Sequence, residues 1–94
     1  MNDPQKTVLA RITGRVQGVS FRAWTRSEAM KLDLSGWVRN ETDGSVNALL
    51  SGQRNAVDKM VLLLWQGPPH SSVSEVKITQ QETNDTIGSF RILR

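Results

Sequence analysis

The sequence contains no cysteine, and its 94 residues include no apolar run of membrane-spanning length. Without cysteine, a disulfide framework, a thiolate metal site and a cysteine nucleophile are all excluded. The apolar run that ends at Trp65 is far too short to cross a bilayer, and residues 1–5 lack a hydrophobic signal segment. We therefore expect a soluble protein in a reducing compartment, the cytoplasm, with no membrane partner.

The excess of charge of one sign is small. Twelve lysines and arginines face nine acidic residues, which gives a formal net charge of +3 at pH 7, and the basic residues are scattered along the chain. Such an excess assists the encounter with a small anion but does not by itself indicate nucleic acid. The chain fits one domain, 1–94, and its hydrophobic content of 37% is ordinary for a single core. We expect a monomer.

Hydrophobic periodicity divides the chain into strands and helices. Apolar residues alternate with their neighbours from Val8 to Ile12, as in a strand with one buried face. Apolar residues at helical spacing occur in two segments, and Asp43-Gly44 is typical of a hairpin turn. The predicted elements are strand 7–13, helix 21–32, strand 37–40, strand 46–50, helix 53–65, strand 73–81 and an optional short edge strand within 89–93.

This order of elements predicts an α+β fold, the ferredoxin-like βαββαβ sandwich. In that arrangement two helices pack on one face of an antiparallel sheet, the first and third strands are central, and the second strand pairs with the third. Ser35-Gly36 is expected to end the first helix. Val73 is out of phase with Val76 on the last long strand, which indicates a bulge.

Two glycines and an arginine mark the turn between the first strand and the first helix. Gly14 and Gly18 let the backbone approach a ligand closely and adopt positive φ, so that consecutive N–H groups can converge. A helix N-terminus also presents free N–H groups and favours negative charge. Arg22, in the first helical turn, can bind two phosphate oxygens with its planar guanidinium. These features predict a site for a phosphate group or a phosphate ion.

Two segments of the chain resemble the signature motifs of the acylphosphatase family. They read Gly14-x-Val16-Gln17-Gly18-Val19-x-Phe21-Arg22 and Gly36-Trp37-Val38-Arg39-Asn40-x-x-Asp43-Gly44-x-Val46, followed by Gly52. The similarity continues to Gly67-Pro68-Pro69 and so covers nearly the whole chain. The resemblance implies a metal-independent hydrolase without a cofactor. Its implied substrates are small acyl phosphates, which it cleaves to a carboxylate and inorganic phosphate.

The resemblance also implies which residues form the site. Arg22 is the implied catalytic arginine that binds phosphate, and Asn40 is the implied catalytic residue that orients the attacking water. The implied phosphate-binding loop consists of Arg15, Val16, Gln17, Gly18, Val19, Ser20, Phe21 and Arg22. The chain departs from the family pattern at Asp33, where many members have glycine. We expect this change to affect the turn after the first helix rather than activity.

The chemistry is compatible with these residues alone. Phosphoryl transfer passes through a loose transition state, so positioning and positive charge matter more than covalent catalysis. The carboxylate leaving group has a pKa of roughly 4 and leaves without a strong general acid. The side-chain amide of Asn40 can both accept from and donate to water, which suits positioning rather than deprotonation. Neither a metal ion nor a histidine is needed.

Two other functions remain open from the residues alone. The same fold hosts RNA-recognition domains, which carry aromatic residues on the exposed sheet face. The absence of tyrosine and the presence of only two phenylalanines disfavour a nucleic-acid partner. The other function is a regulatory domain that binds phosphate without turnover. No residue identifies a pocket for the acyl group, so we expect broad specificity for small acyl phosphates.

Overall fold

The computed structural model describes residues 5–82 and 88–93. Within them, five strands and two helices follow one another in the predicted order, and the optional last strand is present. The elements are β1 (Gln5–Arg15), α1 (Phe21–Lys31), β2 (Ser35–Asn40), β3 (Val46–Gln53), α2 (Arg54–Gln66), β4 (Ser72–Gln81) and β5 (Phe90–Ile92).

The strands form one sheet in the order β4-β1-β3-β2-β5. As predicted, β1 and β3 are central and β2 pairs with β3. The pairs β1–β4, β1–β3 and β2–β3 are antiparallel, but β5 pairs with β2 in parallel, so the sheet is mixed rather than purely antiparallel. The reason is topological. Because β4 runs opposite to β1, a strand that reverses direction after β4 and joins the far edge runs the same way as β2.

The core lies between the sheet and the two helices. In β1 the alternating residues Val8, Ala10 and Ile12 are buried, as their spacing predicted. α1 buries residues at intervals of four, and α2 buries residues at intervals of three and four, which places each set on one helical face. These helix residues are Phe21, Thr25 and Ala29 in α1 and Val57, Met60 and Leu64 in α2. Each fully buried large side chain contributes about 1.5–3 kcal/mol by the hydrophobic effect.

The end of α1 differs from the prediction. Residues 35–36 do not close the helix but begin β2. The helix closes earlier because Asp33 adopts a left-handed conformation with φ 57°. The N–H of Leu34 then donates to the carbonyl of Ala29 at 3.0 Å, and the N–H of Asp33 donates to the carbonyl of Met30 at 3.1 Å. This pair of bonds is a Schellman motif, which satisfies the last carbonyls of a helix.

A bulge lies where β1 leads into the glycine-containing loop. The register of β1 on β4 shifts between Thr13 and Gly14, so Ser74 on β4 is the extra residue. The bulge predicted from the phase of Val73 is therefore confirmed. Gly14 has a φ of 119°, and a Cβ at this position would overlap the carbonyl oxygen of Ser72. Only glycine fits here without a shift of the backbone.

Candidate active site

A pocket opens at one end of the sheet, where the loop between β1 and α1 meets the last residues of β2 and β5. β1 and β2 run in the same direction on either side of β3, so the loop after β1 and the end of β2 share one edge. Arg22 and Asn40 therefore reach the same pocket. The lining residues are Val16, Gly18, Ser20, Phe21, Arg22, Ala23, Asn40 and Ile92.

The backbone of the loop leaves a group of N–H donors without internal partners. Gly18 and Ser20 both have positive φ, 73° and 63°, and Ser20 is the N-cap residue of α1. Its side chain makes no capping bond, and the first turn of α1 contains no acidic residue. The first helical N–H to find a carbonyl is that of Trp24, which donates to Ser20 at 3.0 Å. Within the described residues, no acceptor serves the N–H groups of residues 17–23, so this loop favours an anion.

Arg22 adds a full positive charge to this end of α1. Its side chain is half-buried and lines the pocket. None of the carboxylates in the described part of the chain pairs with its guanidinium. A cation at a helix N-terminus is unfavourable against the helix dipole, and a bound anion would relieve that repulsion.

Phe21 anchors the first turn of α1, which carries Arg22. The Phe21 side chain is 2% exposed and meets the ring of Trp24 edge to face, with 5.5 Å between the ring centroids. The first turn of α1 is therefore anchored in the core by one residue while the next residue faces the pocket. The prediction placed Phe21 in the loop, and its side chain belongs to the core.

Asn40 is the last residue of β2 and pairs with Val46 of β3. Its side-chain oxygen, Oδ1, is buried and has no hydrogen-bond partner among the residues that the structure describes. A buried acceptor without a donor costs free energy, on the order of 1–3 kcal/mol, unless another molecule supplies the bond. Because Asn40 lines the pocket, a water or ligand in the pocket can donate to this oxygen.

Comparison with known proteins identifies the family. The family model for acylphosphatase matches residues 8–92. The chain belongs to the acylphosphatase family. The acylphosphatase of Rhizobium meliloti (strain 1021) is 50% identical over 94 residues, which is all of this chain and 99% of the relative. That of Mesorhizobium japonicum (strain LMG 29417 / CECT 9101 / MAFF 303099) is 55% identical over 93 residues, with 99% of each chain covered.

A solved structure agrees with this assignment. The crystal structure of acylphosphatase from Bacillus subtilis matches with a TM-score of 0.91 at 35% identity, over 95% of this chain and 99% of that chain. The prediction of an acylphosphatase-family hydrolase on a ferredoxin-like α+β fold is thus confirmed.

Some of the predicted loop residues line the pocket and others do not. The lining includes five of the eight, and excludes Arg15, Gln17 and Val19. Arg15 is exposed at the end of β1, and Val19 packs partly against the core. In the part of the chain that the structure describes, no three His, Cys, Asp or Glu residues group as a metal site. None of the helices described is long and apolar enough to span a membrane.

Gln17 connects the loop after β1 to the end of β2. Its side-chain amide, Nε2, donates to the backbone carbonyls of Glu41 and Ser45, each at 2.8 Å. Glu41 follows Asn40 directly, so these bonds fix the loop against the end of β2. The sequence predicts Gln17 as part of the phosphate-binding loop and does not indicate this second role. No local pattern in one sequence indicates it, because the partners lie 24 and 28 residues away.

The turn after Asn40 is held by two carboxylates outside the pocket. Hydrogen bonds from the hydroxyl and backbone N–H of Ser45, at 2.6 and 2.9 Å, and from Arg11 hold the pKa of Asp43 well below its ordinary value of 3.8. A hydrogen bond from Arg39 at 2.6 Å likewise lowers the pKa of Glu41. Both carboxylates stay ionised at neutral pH and are occupied by these partners. Asp43 thus holds the turn between β2 and β3, and Glu41 pairs with Arg39 of β2.

Proposed function

We propose that this protein hydrolyses the carboxyl–phosphate bond of small acyl phosphates to a carboxylate and inorganic phosphate, without a metal ion or cofactor. The observation that carries the proposal is the meeting of Arg22, the unpartnered loop N–H groups and Asn40 in one pocket. Membership of the acylphosphatase family supports it independently. The partners of the protein in this proposal are a small acyl phosphate, which is the substrate, and phosphate ion, which is a product.

The phosphoryl group sits in the loop. Arg22 and the N–H groups of residues 17–23 bind its peripheral oxygens, where negative charge is spread in the loose transition state. The backbone that carries these donors is positioned by the fold before the substrate arrives, because Phe21 anchors the helix and Gln17 anchors the loop. Little reorganisation is then needed during the reaction.

Asn40 directs the nucleophile. Its free Oδ1 accepts a hydrogen bond from water and aligns the water oxygen with phosphorus. The new bond forms between that oxygen and phosphorus, while the bond from phosphorus to the acyl oxygen breaks. The carboxylate leaves with the electron pair, and the proton of the water passes to a phosphate oxygen. Among the described residues, none of the side chains that line the pocket is a carboxylate or a histidine, so we assign the role of the base to the substrate itself.

Cytoplasmic location and a monomeric state belong to the same proposal. They are supported by the absence of cysteine and by the small size of the domain. A small diffusible substrate requires neither a membrane nor a second subunit.

The test is hydrolysis of benzoyl phosphate in excess chelator by the wild type and by Arg22→Gln. We expect activity to persist with chelator and to fall by about 10²–10³ in Arg22→Gln, the usual effect of removing one charge-stabilising donor. Arg54→Gln is the matched control, because Arg54 also lies in the first turn of a helix without a side-chain cap but does not line the pocket. Equal activity in Arg22→Gln and the wild type would refute the role of Arg22. Phosphate binding without turnover would indicate a regulatory domain instead.

A further inference from the structure

The two residues that flank Asn40 are joined to each other on the face of the sheet opposite to the pocket. Side chains alternate along β2, so Val38 and Asn40 face the helix layer and Arg39 faces the other side. The carboxylate of Glu41 lies on that other side too, because its Oε2 accepts a hydrogen bond from Nε of Arg39 at 2.6 Å. The ion pair therefore spans Asn40 on the face away from the pocket.

A side chain of β3 binds the same carboxylate. Asn47 stands directly opposite Arg39 in the antiparallel ladder. Its Nδ2 donates to Oε2 of Glu41 at 2.9 Å, so one carboxylate oxygen accepts hydrogen bonds from both strands. The guanidinium of Arg39 also lies over the ring of Trp37, 4.8 Å from the ring centroid. We call Arg39, Glu41 and Asn47 the outer-face cluster.

The backbone of Glu41 makes separate hydrogen bonds. Its N–H donates to the carbonyl of Ser45 at 2.8 Å, and its carbonyl accepts from Nε2 of Gln17 at 2.8 Å. Neither bond involves the Glu41 side chain. A substitution at Glu41 therefore removes the bonds of the outer-face cluster and leaves the backbone groups that close the turn and connect the loop.

Folding stability alone gives little reason for the ion pair. The side chains of Arg39 and Glu41 are 42% and 28% exposed, and ion pairs of such exposure contribute little to stability. The pair does constrain geometry. Side chains two residues apart meet on one face only where the backbone between them is extended, so the contact keeps Asn40 extended at the end of β2.

We propose that Glu41 is a positioning residue, which acts with the rest of the outer-face cluster to set the backbone at Asn40 and so the direction in which Asn40 Oδ1 holds the attacking water. This inference rests on the proposed function, because it requires Asn40 to act on water. Glu41 is outside the pocket lining in the described part of the chain, so its side chain reaches the reaction only through Asn40. A small displacement of a positioning group is enough to lower the rate strongly.

The test is a double-mutant cycle between Glu41 and Asn40 with benzoyl phosphate as the substrate. We expect Glu41→Ala to lower kcat by about 10-fold, because the water is held in a less productive direction. KM and the inhibition constant of inorganic phosphate should stay within about twofold of the wild type, since the phosphate-binding groups are unchanged. In the Asn40→Ala background, Glu41→Ala should leave kcat unchanged, because the group on which it acts is absent.

Glu41→Gln is the conservative variant of the same residue. Its side-chain amide oxygen still accepts hydrogen bonds from Arg39 and Asn47, so this variant should keep most of the kcat that Glu41→Ala loses. Asp58→Ala is the matched control. It removes another exposed ion pair, with Lys6 at 2.7 Å, that joins α2 to β1 outside the pocket lining, and it should leave kcat unchanged. All rates are measured well below the unfolding temperature of each variant.

An unchanged kcat in Glu41→Ala would overturn the inference and leave the proposed hydrolysis intact. Equal losses of kcat in the wild-type and Asn40→Ala backgrounds would do the same, because Glu41 would then act by a route other than Asn40. A loss that appears in KM instead of kcat, or one that Glu41→Gln shares in full, also contradicts positioning through these hydrogen bonds. If the wild type does not hydrolyse benzoyl phosphate, the proposed function itself fails.

Discussion

At the scale of single residues, Asn40 combines a feature that lowers stability with a position in the pocket that suits function. Its Oδ1 is buried without a partner among the described residues, which a protein tolerates where another molecule completes the bond. Thr25 Oγ1 and Asn47 Oδ1 are also buried without such a partner, but of the three residues only Asn40 lines the pocket, where a ligand or water can reach it. This arrangement therefore separates a catalytic effect from a structural one in a single substitution.

We predict that Asn40→Ala lowers kcat by about 10²-fold while the inhibition constant of inorganic phosphate is kept, because Asn40 positions water and not the phosphoryl group. The melting temperature should not fall, since the substitution removes an unsatisfied buried acceptor. Steady-state kinetics with phosphate as inhibitor and thermal unfolding measure these three quantities. Asn55→Ala, exposed near the start of α2, is the control and should change none of them. Parallel loss of phosphate affinity would show that Asn40 holds the phosphate instead.

Gln17 gives the second prediction at this scale. Its amide donates to two carbonyls at 2.8 Å, so Gln17→Ala leaves both acceptors without that donor and costs about 1–3 kcal/mol in the free energy of unfolding. Gln17→Glu should be worse, because it places a carboxylate against two carbonyl oxygens. Chemical denaturation gives the stabilities.

The kinetics of the Gln17 variants distinguish positioning from stability. Below the unfolding transition, kcat should fall in both variants, more in Gln17→Glu than in Gln17→Ala, because the loop and the end of β2 are no longer fixed to each other. If both variants lose stability but keep the wild-type kcat, Gln17 is structural only. If Gln17→Glu is as stable as the wild type, the two hydrogen bonds are not made in solution.

At the scale of elements, α1 ends in a left-handed turn at a residue that is not glycine. Asp33 has a φ of 57°, a conformation that glycine adopts without the cost imposed by a Cβ. Its negative charge also lies at the C-terminal end of a helix, where the dipole favours cations. Both effects are unfavourable, and neither involves the pocket.

We predict that Asp33→Gly raises the free energy of unfolding by about 1 kcal/mol and leaves kcat and KM unchanged. Thermal or chemical unfolding with parallel kinetics tests this. Asp33→Asn removes the charge but keeps a side chain that tolerates the left-handed conformation, so its stability should lie between those of the other two proteins. A lower stability of Asp33→Gly would mean that the Asp33 side chain makes a favourable contact in solution.

Patterns among neighbouring residues of the sequence were enough to predict most strands and helices and part of the candidate site. The alternation in β1, the turn at Asp43-Gly44 and the bulge opposite Gly14 each depend on neighbouring residues, and each is confirmed. The motifs predict Arg22 and Asn40, the fold predicts that the loop after β1 and the end of β2 meet at one edge of the sheet, and both residues line one pocket. The roles assigned to them stay predictions until they are measured.

What sequence reasoning missed depends on contacts between distant parts of the chain. The parallel pairing of β5 follows from where the chain returns to the sheet, and β5 has only three residues. The bonds of Gln17 to the turn after β2 and the presence of Ile92 in the pocket have the same origin. Each requires the register of the whole sheet, which periodicity in one segment does not contain.

At the scale of the whole molecule, the pocket links ligand binding to folding. The loop N–H groups, Arg22 and Asn40 come from separate elements that are adjacent only in the folded protein. A ligand that binds them therefore binds the folded state alone and stabilises it by mass action. Inorganic phosphate, the product of the proposed reaction, is the simplest such ligand.

We predict that phosphate at about 100 times its dissociation constant stabilises the wild type by about 2.7 kcal/mol, which raises the melting temperature by roughly 10–20 °C. Arg22→Gln should lose most of this shift, and Asn40→Ala should retain it. Arg54→Gln should behave as the wild type, because Arg54 does not line the pocket. Sodium chloride at matched ionic strength corrects for screening of charge. Phosphate also stabilises proteins generally by exclusion from their surface. The test is therefore the difference between the wild type and Arg22→Gln in the shift of melting temperature that phosphate causes. Equal shifts in these two proteins would mean that phosphate does not bind at Arg22.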